Sequence, residues 1–271
     1  VGLAALGSSL AASAETISDT ELLVTSWSVA YVASGFGGGA SSVRVSSGGN
    51  PDSMRRISFA VNAAPNGSTQ SIIFAVHLRI GYIYNPATRG PLASFSLSED
   101  VKRLDAVSNP QWTGVLLRQD GVYYISRGAD TGGFNIWLPK SAGPYAAQDF
   151  VAIDTGDFVD GVEETVHPNF TATGSPIEVG FYRALASGIG GSVKSADFGL
   201  DNLVITITPA APPACIGDLN GDNAVNTQDL TAFLSRFGTT VTPGGPGDFN
   251  NDGAVTTADL TTFLGRFGSA C

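Results

Sequence analysis

Asp218, Asn220, Asp222, Asn226 and Asp229 carry oxygen-bearing side chains at positions 1, 3, 5, 9 and 12 of a short stretch. Asp248, Asn250, Asp252, Thr256 and Asp259 repeat that spacing further along the chain. This is the ligand spacing of a calcium loop of the EF-hand type, in which position 7 supplies a backbone carbonyl, here from Ala224 and Ala254. Position 6 must turn with positive φ. Gly253 does so without a side chain to clash, and Asn223 is the usual substitute for glycine there. A hard divalent cation takes six or more oxygens, and three Asp per loop offset most of the cost of dehydrating it. The spacing therefore predicts two bound Ca²⁺ ions. The alternative is a pair of metal-free Asp/Asn turns, and the recurrence of five ligand positions in register argues against it.

The loops belong to a duplication. The stretches "GDLNGDNAVNTQDLTAFLSRFG" and "GDFNNDGAVTTADLTTFLGRFG", starting at Gly217 and Gly247, agree at 15 of 22 positions. After each loop, Leu230, Phe233, Leu234 and Phe237, and likewise Leu260, Phe263, Leu264 and Phe267, follow the i, i+3, i+4, i+7 spacing of a short amphipathic helix. Gly238 and Gly268 stand where a C-terminal cap glycine belongs. The preceding "TPAAPPACIG" cannot supply the entering helix of a full EF-hand. Two loop–helix units are expected, packed face to face to hide their apolar stripes.

Residues 215–271 resemble the type I dockerin, a duplicated calcium-binding loop–helix module of secreted bacterial proteins. The resemblance implies a secreted or cell-surface protein of a bacterium and a cohesin-like or scaffold partner. It departs from the dockerin pattern at loop positions 10 and 11, where a Ser/Thr pair often grips a cohesin. Here those positions hold Thr227-Gln228 and Thr257-Ala258, so an ordinary cohesin surface is not implied. The chain's two cysteines, Cys215 and Cys271, bracket this module. In two antiparallel units the module's ends lie close together, and a bridge there stabilises by roughly 4 kcal/mol in the chain-entropy model. The alternative is two free thiols. A cysteine before the first loop and another at the terminus also resembles a bacterial surface variant of the dockerin.

At 271 residues, the chain has room for one large domain and a small one. Its net charge is −10 and no basic stripe exists, which argues against nucleic acid as a partner. "VGLAALGSSLAASAET" reads either as the tail of a signal peptide, with Ala12-Ser13-Ala14 as cleavage site and Glu15 as mature start, or as a retained N-terminal arm over residues 1–14. No other stretch is long and apolar enough for a transmembrane helix.

Between about Thr20 and Thr208 the pattern is strands separated by Gly, Pro, Asn and Asp turns. "GVYYISR" and "VITIT" alternate clearly, and Asp120-Gly121 predicts a two-residue hairpin turn. The fold class expected is mainly β: a sandwich of ten or more strands over residues 15–207, a stiff Pro-rich linker at 208–214, and the small α module of two loop–helix units at 215–271. "SGGNPDSMRRISF" and "HPNFTATGSPIEVGFYRA…DFGLDNLVITIT" resemble concanavalin A-like jelly-roll domains, in which a G-x-D-N turn precedes the last strand. Such sandwiches host lectins, glycosidases and structural modules alike, so the resemblance lends a fold and no activity.

Catalytic signatures are missing. There is no E-x-D-x-x-E strand motif for a glycosidase pair, no G-x-S-x-G and no H-E-x-x-H. "GFGGGA" (35–40) has no following helix and reads as a turn. The acidic stretch "DTGDFVDGVEE" (154–164) is either a solvated loop or a third cation site. Trp112, Tyr123, Tyr124 and Trp137 are either core aromatics or a sugar-stacking platform. The expected function is extracellular and non-catalytic: a structural or adhesive subunit of a surface assembly or filament, partnered by copies of itself or by a scaffold. A carbohydrate-binding module is the first alternative, with polysaccharide as partner. A polysaccharide-degrading enzyme is the second, supported only by the company dockerins keep.

Overall fold

The computed structural model describes residues 13–65, 70–106, 109, 111–130, 133–153, 162–188, 190–210 and 215–270. Two compact units divide the chain, one ending at Ala210 and the other beginning at Ala211. In chain order the elements of the larger unit begin with β1 (Glu15–Asp19), β2 (Trp27–Ser34), β3 (Gly38–Val45), β4 (Met54–Val61), β5 (Ile72–Tyr84), a single helical turn α1 (Pro86–Arg89) and β6 (Leu92–Arg103). They continue with β7 (Gln111–Gln119), β8 (Val122–Ser126), β9 (Ala129–Asp130), β10 (Gly133–Phe134), β11 (Leu138–Tyr145), β12 (Phe150–Ile153), β13 (Val162–Glu163), β14 (Ile177–Ala186) and β15 (Lys194–Pro209). The smaller unit holds α2 (Thr227–Leu234) and α3 (Thr257–Leu264).

The strands form a jelly-roll-type sandwich, so the chain is mainly β as expected. One sheet has seven strands in the order β10-β6-β15-β4-β3, with β11 beside β6 and β1 beside β15. The other has eight, in the order β13-β12-β8-β7-β14-β5-β2, with β9 beside β7. Alternation sends Phe95, Leu97, Val101, Phe198, Leu200 and Ile205 from the first sheet against Ile73, Val115, Leu117, Phe150, Val179 and Phe181 from the second. Asp120 (φ 53°) and Gly121 (φ 84°) form the β7–β8 turn that the Asp-Gly pair predicts.

β1 opens the sandwich at Glu15. β1 pairs with β15 from Glu15↔Ile207 to Asp19↔Leu203, and Ile17 is buried. The Asp19 carboxylate takes Trp27 Nε1 at 2.9 Å and Arg79 at 2.6 Å, tying the start of the sandwich to β2 and β5. Residues 1–12 lie outside the described residues. Contrary to expectation, G-x-D-N (Gly199–Asn202) does not precede the last strand. It lies inside β15 as a bulge between Asp201 and Val204, with Asn202 at φ 49°. β15 also runs on through Thr208 and Pro209, which pair with Ser94 and Leu92, so the linker starts later than expected. Residues 211–214 are outside the described set.

In the smaller unit each helix starts where its loop ends, for a local reason. Asn226 and Thr256, at loop position 9, are N-caps that accept from Gln228 N and Ala258 N. Asp229 and Asp259, at position 12, complete capping boxes, so the same side chains close the loop and open the helix. Within this smaller unit the two loop–helix repeats exchange short bridges: Ala224 pairs with Ala270, and Thr240 with Ala254. Gly238 (φ 82°) and Gly268 (φ 85°) turn the chain so that their N–H groups donate to Val255 O and Val225 O. Phe233 and Phe263 stack at 5.7 Å and are fully buried beside Val225 and Val255. The face-to-face packing hides only part of each stripe, since Leu234, Phe237, Leu264 and Phe267 remain exposed.

Candidate functional site

The oxygen clusters come first, because the structure brings them together as the spacing required. Carboxylate oxygens of Asp218, Asp222 and Asp229 lie within 4.8 Å of one another, and so do those of Asp248, Asp252 and Asp259. Backbone amides hold them in place. Asp218 takes Gly221 N (2.7 Å) and Asn223 N (2.9 Å), and Asp248 takes Gly253 N (2.9 Å). Position 6 does turn left-handed, Asn223 at φ 64° and Gly253 at φ 86°. At position 3, Asn220 Oδ1 and Asn250 Oδ1 accept from the amides of Asp222 and Asp252. Their Nδ2 groups reach the same two carboxylates.

Asp229 and Asp259 are fully buried, and none of the ion pairs among the described residues reaches any of the six Asp. Hydrogen bonding from Asn220 holds the Asp222 carboxyl below its usual range. At Asp259, desolvation opposes ionisation, but the amides of Thr256, Phe249 and Asn250 outweigh it and the pKa is lowered. Three carboxylates converging without a cationic side chain form the donor set that a hard divalent cation takes.

The four aromatic candidates do not form one platform. Tyr124 points into the inter-sheet core. Trp137 lies by the other sheet, its ring under Lys102 Nζ at 4.6 Å. Trp112 and Tyr123 share the outer face of the eight-stranded sheet, where Trp112 packs against Phe74 and the Arg118 guanidinium lies over Tyr123. That outer face carries a second apolar layer, including Phe74, Val76, Leu116, Ile125 and Tyr182.

A cavity of about 420 Å³ opens on this face, lined by Gln70, Trp112, Ile125, Arg127, Gly128, Val162 and Tyr182. Burial pushes the Tyr182 phenol upward, so it stays protonated and donates to Ser126 O at 2.7 Å. Arg127 pairs with Glu164 beside it. Residues 154–161 of the acidic stretch lie outside the described residues, as does Cys271. Sequence patterning singled out Trp112 but missed Gln70, Arg127 and Tyr182. The one available signal was parity in "GFYRALA", where Tyr182 faces away from Phe181 across the strand.

No family model matches the chain, and no curated protein matches it. Among solved structures it is similar to a family 11 carbohydrate-binding module from Clostridium thermocellum in complex with a β-1,3-1,4-mixed-linked tetrasaccharide. That similarity has 13% identity, covers 74% of this chain and 99% of that one, and has a TM-score of 0.41. A family 22 carbohydrate-binding module from Clostridium thermocellum is similar at 12% identity over 72% and 95%, TM-score 0.35. A Shewanella oneidensis MR-1 protein of unknown function is similar at 13% identity over 76% and 91%, TM-score 0.35. No helix among the described residues is long and apolar enough to cross a membrane.

Proposed function

We propose that this chain is a secreted, non-catalytic carbohydrate-binding protein of a bacterial surface, with a calcium-loaded dockerin-like tail. The observation that carries the glycan reading is the cavity beside Trp112. The half-buried Trp112 indole offers an apolar face to a sugar ring, while Gln70 and Arg127 offer hydrogen bonds at its edge. Ca²⁺ would be held by Asp218, Asn220, Asp222, the Ala224 carbonyl and Asp229, and by their counterparts Asp248, Asn250, Asp252, Ala254 and Asp259. Asn226 and Thr256 contribute through water, since their side-chain oxygens already cap the helices. Neutralising the carboxylates fixes the tail's fold, and its partner is a scaffold or cohesin-like protein. The Cys215–Cys271 bridge belongs to the same proposal.

The test is affinity electrophoresis and titration calorimetry against soluble plant and microbial polysaccharides, comparing the wild type with Trp112→Ala. A buried-edge tryptophan is worth about 2 kcal/mol as an anchor, so the variant should bind roughly 30-fold more weakly. Equal binding by both proteins would remove the cavity from the account. A structural subunit is the second reading, favoured by the open strand edge described next.

A further inference from the structure

Sandwich sheets end in strands whose outward backbone groups lack partners, and proteins usually guard such edges with charge, proline or brevity. Among the described residues, that holds at most edges here. β11 carries Pro139, Lys140 and Pro144, β3 carries Arg44, and β9, β10 and β13 are two residues each. β2 is the exception. Its eight residues, WSVAYVAS, contain no charge and no proline, and among the described residues it pairs with β5 alone. Ser28, Ala30, Tyr31 and Ala33 are exposed along it, Tyr31 at 45%.

We propose that β2 is a pairing edge for a second copy of this chain, the two strands running antiparallel about a two-fold axis at Tyr31. The sequence chooses this occupant because it is complementary to itself in that register. Tyr31 meets the partner's Tyr31, Ala30 meets the partner's Val32, Val29 meets the partner's Ala33, and Ser28 meets the partner's Ser34. Every β-branched residue then faces an alanine, the aromatic rings face each other, and no like charges meet. Opposed residues share a sheet face, so Ala30 and Val32 lie together on the outer face and Val29 and Ala33 on the inner. The pairing is isologous, so it closes as a dimer rather than growing into a filament, and it joins the two eight-stranded sheets into one. It is independent of the glycan reading.

Sedimentation equilibrium of the full chain over about a hundredfold range of concentration tests it. Wild type should reach twice the 27.8 kDa chain mass. Tyr31→Lys and Tyr31→Glu each place like charges at the axis, and each should stay at the single-chain mass, with unchanged circular dichroism confirming the fold. Their equimolar mixture should recover the doubled mass, because Lys then faces Glu. As a second measurement, Tyr31→Cys should form a disulfide-linked dimer on mild oxidation, whereas Val29→Cys should require Ala33→Cys on the other chain. Wild type at the single-chain mass throughout overturns the proposal, and so does a mixture that remains monomeric.

Discussion

Glu99 and Arg183 form an ion pair at 2.8 Å between the two sheets, each side chain only 1% exposed. Thr113 Oγ1 donates to the same Glu99 oxygen at 3.0 Å. Replacing Glu99 by Gln keeps the shape and an acceptor for Thr113 but leaves the Arg183 charge buried without its counter-charge. Breaking one partner of a buried pair costs about 3–5 kcal/mol, whereas replacing both by apolar residues of similar volume is often near neutral. For a domain of this size, 1 kcal/mol moves the midpoint by about 2–4 °C, so Glu99→Gln should lower Tm by roughly 6–20 °C. Glu99→Leu with Arg183→Met should recover most of that loss. All three tryptophans, Trp27, Trp112 and Trp137, lie in the sandwich, so tryptophan fluorescence during heating follows this unit without interference from the tail. A Glu99→Gln midpoint within about 2 °C of wild type would show that the pair is solvated in solution and refute the argument. So would a double variant whose loss equals the sum of the single ones.

Titration calorimetry of metal-free protein should give two Ca²⁺ per chain from the paired loops, and Asp218→Ala with Asp248→Ala should abolish both; an unchanged stoichiometry places the metal elsewhere. His77 is fully buried, stacked on Phe181 at 4.2 Å with Nε2 at 2.7 Å from Ser42 Oγ, and burial, then Arg55, hold its pKa well below 6.5. The unfolded chain therefore takes up a proton that the folded one refuses, so His77's contribution is fully present above pH 6.5 and falls by at most about 1.4 kcal/mol per pH unit below it. Urea midpoints at neutral and mildly acidic pH should separate in wild type and converge in His77→Gln; equal separation in both excludes His77 as the source. Non-reducing mass spectrometry of secreted material should find Cys215 linked to Cys271, and two alkylatable thiols would refute the bridge.

The tail was legible because its chemistry is local. Loop positions 1 to 12 lie within one turn of chain, so the spacing of Asp218, Asp222 and Asp229 alone dictates that their oxygens converge. The capping boxes at Asn226 and Thr256 are equally local, and so is the Asp120-Gly121 hairpin. The β class was legible from alternation, which needs only neighbouring residues. The tertiary structure decided everything that depends on which strands meet. The strand pattern is legible only from about Thr20, and it takes the pairing of β1 with β15 to bury Ile17 and set Asp19 against Arg79. The four aromatics look equivalent in the sequence, yet pairing parity sends Tyr124 into the core, Trp112 to the cavity and Trp137 to the other sheet. Glu99 and Arg183 are 84 residues apart in the chain, and nothing local announces that they meet. Side-chain period fixes which face a residue takes, but only long-range register fixes what that face touches.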